Sequence, residues 1–315
     1  MAINSRPVRS TEDALRMIRL WRNETVDEIS AIDDGQTSLT FRFHLLGEWY
    51  ILRISNNKTA YWYDKYAFDT LAKRTGLPIP RVDHIGQEGS VAFAISQRMP
   101  GITLSHRSEA EVQSLLPTVV EQLQWLQRTH PLDRRKFGTF GPNRDPIHES
   151  WQSVLKHFFA EPESGYWKDF SQLFDHKRFS AEEFWRMHDR MLDLAAYSPS
   201  ESYVIHGDFH CGNILTNGDS VTGLIDWAQM LLGDWVFDVA TFHLWSPQFN
   251  FAQFVKQQSG KFEFHLRNFQ ERLWCSTYAV GLDAARYDAK IGDWNACEFV
   301  MQRLRDMESA SWARV

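Results

Sequence analysis

The stretch Tyr203-Val204-Ile205-His206-Gly207-Asp208-Phe209-His210-Cys211-Gly212-Asn213-Ile214-Leu215-Thr216 runs on through Asn217-Gly218-Asp219-Ser220 into Val221-Thr222-Gly223-Leu224-Ile225-Asp226-Trp227. An apolar strand leads into a polar loop, a second strand leaves it, Asn217-Gly218 reverses the chain, and a third strand ends at Asp226. Because the reversal folds the second and third strands against each other, Asn213 at the start of one and Asp226 at the end of the other are expected side by side, next to Asp208. Three oxygen-bearing side chains then converge.

Such a set suits phosphoryl transfer, which needs a carboxylate to accept the proton of an attacking hydroxyl and hard oxygen ligands for Mg²⁺ on the phosphates. Asp208 is expected as the base, with Asn213 and Asp226 as metal ligands. The spacing from Asp208 to Asn213 matches the catalytic loop in which kinases place Asp and Asn. His206 is expected to hold the loop by bonding to backbone, a structural part. Cys211 reads as filling, since Mg²⁺ takes oxygen in preference to sulfur. Each of these alone is an ordinary turn residue or a satisfied buried histidine. A competing reading takes His206, Asp208 and His210 as ligands of iron or zinc in an oxygenase or hydrolase.

Upstream, residues 39–45 alternate apolar and polar side chains, Gly47 interrupts, and residues 49–54 resume an extended pattern, which reads as a hairpin. A helix is expected near residues 61–73, then extended chain at Gly76-Leu77-Pro78-Ile79-Pro80, a strand over residues 91–96 and a hinge at Met99-Pro100-Gly101. The preceding Asp33-Asp34-Gly35-Gln36-Thr37-Ser38 is the candidate loop over the phosphates, without the glycines of G-x-G-x-x-G or the P-loop. Past the hinge, helices are expected near residues 109–129, 150–160, 181–196, 235–245, 260–281 and 293–311. Pro117 is expected only at a break or a new first turn. Clear strands there are confined to residues 203–225. Gly233-Asp234-Trp235-Val236-Phe237-Asp238 opens a helix with Asp234 as N-cap.

The whole chain of 315 residues is long enough for two domains, and its 43% apolar and 23% charged residues are ordinary for a packed protein. No apolar run reaches the roughly 18 residues of a membrane span, and the first ten residues carry no apolar export signal. Three widely spaced cysteines, Cys211, Cys275 and Cys297, fit reduced thiols in the cytoplasm. A net charge of −6 argues against nucleic acid as partner and is compatible with a cationic substrate.

These residues resemble the aminoglycoside phosphotransferase and choline kinase family: His206 to Asn213 and Ile225-Asp226-Trp227 match its central pattern. The likeness extends through Gly233-Asp234 and Asp238, and back through Tyr50-Ile51-Leu52-Arg53, Leu77-Pro78-Ile79-Pro80 and Arg98-Met99-Pro100-Gly101. Within the family it looks most similar to the hygromycin B phosphotransferase branch, through Phe137-Gly138-Thr139-Phe140-Gly141-Pro142 and residues 242–247. The resemblance implies an α+β, protein-kinase-like bilobal fold: a β-rich nucleotide-binding lobe over residues 1–99 and a mostly helical catalytic and substrate-binding lobe over 100–315. It implies ATP (or GTP) with Mg²⁺, adenine against the backbone near Gln97 and Met99, Ser38 near the phosphates, and O-phosphorylation of an aminoglycoside. One departure stands out, Arg53 in place of the family's β3 lysine, with Asp64 as its expected acidic partner and Asp69 second. Asp234, Asp238, Trp245 and Trp274 are the residues expected to receive a polycationic sugar, although most of the 13 tryptophans belong in cores. Kinases for choline, ethanolamine or a sugar, and a nucleotide-binding pseudokinase, are the alternatives. A cytoplasmic monomer or weak dimer is expected.

Overall fold

A computed structural model describes residues 10–32, 38–129, 135–142, 144–262 and 265–309. In chain order the strands are β1 (Glu28–Ile32), β2 (Leu39–Leu45), β3 (Glu48–Ser55), β4 (Val82–Glu88), β5 (Val91–Gln97), β6 (Ile102–Thr103), β7 (Gly138–Thr139), β8 (Tyr203–Ile205), β9 (Ile214–Thr216), β10 (Val221–Leu224) and β11 (Leu231–Gly233). The α-helices are α1 (Thr11–Trp21), α2 (Lys58–Ala67), α3 (Lys73–Thr75), α4 (Glu109–Arg128), α5 (Trp151–Phe159), α6 (Ala181–Leu194), α7 (Val236–Trp245), α8 (Phe251–Gln257), α9 (Ser259–Phe262), α10 (Phe269–Ile291) and α11 (Trp294–Ser309). A π turn over Phe68–Ala72 joins α2 to α3.

The chain forms two compact units, Met1–Arg107 with Gly212–Gln229, and Ser108–Cys211 with Met230–Val315. The division differs from a single cut after residue 99, because the β9–β10 hairpin belongs with the first unit. Strand β6 pairs with β9, and the Thr222 hydroxyl donates to the Pro100 carbonyl at 2.6 Å. Gly101, at φ 95°, approaches so closely that an added Cβ would lie 2.1 Å from the Thr216 carbonyl oxygen.

In the first unit β1-β2-β3-β5-β4 form an antiparallel sheet. Period-2 alternation sends Phe41, Phe43, Leu45, Leu52, Ile54, Phe93 and Ile95 to one face, where Ala14, Met17 and Ile18 of α1 cover them. The opposite face carries the small Ala92 and Ala94, against which Tyr61 of α2 packs. Helix α1 was not expected from the sequence; its signal is the capping box Ser10-x-x-Asp13, in which each side chain bonds the other's backbone N–H. Strands β1 and β4 also exceed the expectation. The short β9-β10 pair joins β6 in a second sheet.

The second unit holds a small sheet, β7-β11-β8, and helices in which α10 packs against α6, α7 and α11. Helix α4 runs unbroken through Pro117, contrary to the expected break; Gln113, whose carbonyl loses its bond there, is exposed. The helix expected over 260–281 is instead the end of α9 and the start of the longer α10. Short strands β6, β7 and β11 were not legible as strands. Among the described residues no helix is long and apolar enough to cross a membrane.

Candidate active site

Alternation along β3 turns Arg53 away from the Leu52 and Ile54 face, in register with Thr40 and Ala94. The small Ala94 leaves room for its side chain, and α2 supplies the partner. Capped by Asn57, whose side chain accepts the Ala60 N–H at 3.3 Å, that helix presents Asp64, which is 5% exposed. Arg53 Nη2 donates to Asp64 Oδ2, and the Trp227 N–H donates to Asp64 Oδ1 at 2.9 Å. Burial works against the Arg53 charge, but Asp64, Tyr61 and Asp226 together outweigh it and the guanidinium's pKa is raised. The second-choice acid, Asp69, is held instead by Lys65 and Lys73 at 2.7 and 2.8 Å.

In the hairpin, Leu224 pairs with Ile214, and the Ile225 N–H donates to the Asn213 carbonyl at 3.0 Å. Asn213 and Asp226 therefore flank the same end of the β9–β10 pair. The reversal is a four-residue loop rather than a two-residue turn: the Asn217 side chain accepts the Asp219 and Ser220 N–H groups at 3.0 Å, and a bulge follows at Val221/Gly223. Asn213 is buried and Asp226 half-buried. Asp226 has φ 66°, in the left-handed region that few non-glycine residues enter.

The first unit thus brings Arg53, Asp64 and Asp226 within electrostatic reach of one another, with Asn213 beside Asp226. Ser38, half-buried, immediately precedes β2, while Asp33 to Thr37 of the expected phosphate loop lie outside the described residues. Gln97 ends β5 with its N–H on the Arg81 carbonyl at 2.8 Å, and Met99 is half-buried two residues on. The amide oxygen of Asn213 and the carboxylate of Asp226 make a hard, anionic oxygen set, the donor chemistry that fits Mg²⁺.

Asp208 belongs to the second unit. The His206 and Gly207 N–H groups donate to Oδ2 and Oδ1 of Asp238 at 2.8 and 2.9 Å, and Gly207, at φ 84°, supplies the left-handed conformation of this loop. The fully buried His206 ring accepts the Asp208 N–H at Nδ1, 3.3 Å away. The Asp208 carboxylate keeps 27% exposure, and His210 Nε2 lies 3.4 Å from its Oδ1. Among the described residues no group of three or more His, Cys, Asp or Glu is arranged to hold a metal, so His206, Asp208 and His210 do not assemble the iron or zinc triad. Cys211 sits 3.4 Å from the Ser246 hydroxyl, and burial raises its thiol pKa.

Two expected substrate acids require correction. Asp238 is buried, with both oxygens on backbone donors; burial pushes its pKa up to about 7, the two N–H groups oppose the shift and the Asp208 charge adds to it. Asp234 is fully buried as well: Arg272 Nε and Nη2 grip its two oxygens at 2.8 and 2.5 Å, and Oδ1 also accepts the Val236 N–H at the start of α7. Neither presents a carboxylate to a ligand, because each is spent on a donor that sequence does not locate. Trp245 ends α7 at 36% exposure, and Trp274 is half-buried with its ring 5.8 Å from Tyr278.

Sequence reading overlooked Asp283 on α10. Its side chain is 28% exposed, and Oδ1 is held by Arg286 Nε at 2.8 Å, one helical turn on. Burial raises its pKa, Arg286 opposes this, and the Asp208 charge raises it further, so the two carboxylates feel each other. The Asp-x-x-Arg spacing was available in the sequence; the approach of α10 to the Asp208 loop was not.

The described parts of the candidate site are thus a guanidinium–carboxylate pair in the first unit and an aspartate loop held by a helix carboxylate in the second, and a class of enzyme that moves phosphoryl groups is what the comparison with known families defines. Residues 28–271 match the phosphotransferase enzyme family, and the chain belongs to it. Hygromycin-B 4-O-kinase of Escherichia coli is 28% identical over 254 residues, covering 80% of this chain and 72% of that protein. The fold is shared with a thermostable mutant of aminoglycoside phosphotransferase APH(4)-Ia in ternary complex with AMP-PNP and hygromycin B, at TM-score 0.80, 22% identity and coverage of 96% and 98% of the two chains. It is shared also with APH(2")-IIia bound to GDP and kanamycin, at TM-score 0.67, 11% identity and coverage of 95% and 99%.

Proposed function

We propose that the protein transfers the γ-phosphoryl of ATP to a hydroxyl of an aminoglycoside of the hygromycin B type, and so confers resistance to it. The observation that carries the reading is the relationship to a hygromycin-B 4-O-kinase over four-fifths of the chain, joined to a loop that offers a half-exposed Asp208 on a rigid, doubly bonded backbone.

In this reading Asp208 accepts the proton of the attacking hydroxyl, and a loop clamped at His206 and Gly207 keeps that carboxylate in one orientation. Asn213 and Asp226 would hold Mg²⁺, which would supply positive charge against that of the phosphates. Arg53 offers its guanidinium to phosphate oxygens, and Asp64 keeps it charged and aimed. The backbone at Gln97 and Met99 receives the base, and Ser38 flanks the phosphates. Asp283 takes the place of the two buried acids as the carboxylate for a substrate ammonium, with Trp245 and Trp274 offering ring faces. The reading includes a cytoplasmic monomer or weak dimer acting on a small molecule and on neither nucleic acid nor membrane, in keeping with the net charge of −6.

Substrate-dependent nucleoside diphosphate release across aminoglycosides, choline, ethanolamine and sugars, ADP from ATP and GDP from GTP, tests it. Turnover with hygromycin B or a related aminocyclitol is expected. Turnover only with choline or a sugar would reassign the substrate, and nucleotide binding without any turnover would make the chain a pseudokinase.

A further inference from the structure

Helix α10 buries Arg286 completely, and four rings surround its guanidinium: Trp167 at 4.0 Å, Phe159 at 4.6 Å, Phe158 at 4.7 Å and Phe170 at 5.7 Å to the ring centres. Nη1 donates to the Phe158 carbonyl at 2.9 Å, so the cation ties α10 to the end of α5 and to the segment that follows it. Nε donates to Asp283 Oδ1 at 2.8 Å, and Nη2 lies 2.8 Å from the same oxygen. Among the described residues Oδ2 accepts no hydrogen bond, and the Asp283 side chain is 28% exposed. A buried guanidinium needs an anion, and that need alone would explain an acid one turn away. A pair built only for neutralisation, however, does best with both oxygens on the fork, whereas here one oxygen takes the whole grip and the carboxylate stays open to solvent. Burial raises the Asp283 pKa, Arg286 opposes this, and the Asp208 charge raises it further. Tyr166, half-buried on the segment after α5, also feels the Asp283 charge. Among the described residues no charged group of α6, α7 or α11, the helices packed on α10, adds to these.

We propose that Arg286 is a positioning residue for substrate specificity: locked in its aromatic box, it fixes Asp283 by one oxygen and leaves the other to receive an ammonium of the substrate. The ammonium rests on the aminoglycoside reading; the box and the tie do not. Arg286 also opposes the protonation of Asp283 that burial and Asp208 favour, so the same cation that aims the carboxylate helps to keep it an anion.

Two measurements test it on the full chain. The first is KM for hygromycin B and for ATP across the neutral pH range in the wild type, Arg286→Met, Arg286→Lys and Asp283→Asn. Arg286→Met is expected to raise KM for hygromycin B several-fold, with kcat and KM for ATP within about twofold of wild type. Because Arg286 lowers the Asp283 pKa, its removal delays ionisation of that carboxylate to higher pH, and KM in Arg286→Met is expected to improve as pH rises, with a midpoint above any in the wild type. Asp283→Asn, which cannot ionise, is expected to keep a raised KM without that step, and Arg286→Lys, which keeps a cation, to lie nearer the wild type. A KM for ATP that rises in step with that for hygromycin B, or one pH profile shared by the wild type and Arg286→Met, would overturn the proposal. The second measurement is the Arg286 Nε–H resonance in ¹⁵N-arginine-labelled wild type, assigned by its loss in Arg286→Lys. The surrounding rings are expected to shift it upfield, and hygromycin B without nucleotide to move it. A resonance in the range of exposed arginines, or one that ignores saturating hygromycin B, would overturn the proposal even where Arg286→Met does not fold. A wild type that phosphorylates no aminoglycoside defeats the aminoglycoside reading instead, and there the upfield shift still decides whether the box holds Arg286.

Discussion

Asp208 and Asp226 differ in surroundings although both are half-exposed aspartates. Asp208 sits on a loop whose backbone is tied down at His206 and Gly207 and whose own N–H is tied to the His206 ring; Asp226 ends a strand in a left-handed conformation beside Asn213. Substituting Asp208 by Ala is therefore expected to lower kcat by about 10²–10⁴ with little change in nucleotide affinity, as for loss of a general base. Substituting Asp226 by Ala should instead weaken Mg²⁺·nucleotide binding, read by calorimetry. Asp283→Asn is expected to raise KM for a cationic substrate several-fold and leave KM for ATP unchanged. An unaltered substrate KM in that variant would return the search for the ammonium partner to other side chains. At this scale the Arg53–Asp64 pair was legible in the sequence, and so was the bond by which the His206 ring holds the backbone of its loop. The sequence misled at Asp234 and Asp238, because the Arg272 guanidinium and the two backbone donors that consume those carboxylates come from remote segments.

Helix α7 shows what an element does with such acids. Its start is fixed by Asp234, bonded to Arg272 and to the Val236 N–H, and its first turn carries Asp238 onto the His206–Gly207 backbone. Arg272 also reaches the His265 and Arg267 carbonyls at 2.9 and 3.1 Å, tying the start of α10 to that of α7. Replacing Asp234 by Ala leaves a buried guanidinium without its anion and is expected to cost about 3–5 kcal/mol of stability, measured by urea denaturation. Periodicity made the long helices α4, α5, α6, α7 and α11 readable to within a residue or two. Helix α1 was readable in principle from Ser10-x-x-Asp13, whereas β6, β7 and β11, of two or three residues, are created by partners elsewhere in the chain and have no local pattern to display.

For the molecule as a whole, the buried Asp238 links stability to pH. Its folded pKa of about 7 lies above the ordinary 3.8, so between those values the folded chain keeps a proton that the unfolded chain releases. Its contribution to stability is full below 3.8 and is lost as pH rises to about 7. Compared with Asp238→Asn, which cannot titrate, the wild type is expected to lose relative stability across that window and to level off above it; a difference that stays flat through it would contradict the assignment. The two-unit organisation also exceeded what a linear reading could supply. Residues 212–229 lie deep in the second half of the chain, yet they join the first unit through the pairing of β6 with β9, a two-residue contact invisible in composition.

The most direct measurement follows the γ-phosphoryl itself: ATP labelled at that position is incubated with Mg²⁺, hygromycin B and the purified protein, and the antibiotic is isolated. Label on a hydroxyl of the aminoglycoside with the wild type, and almost none with Asp208→Asn at matched nucleotide occupancy, is the predicted result. Absence of label on any aminoglycoside tried, or equal transfer by the two proteins, would contradict it.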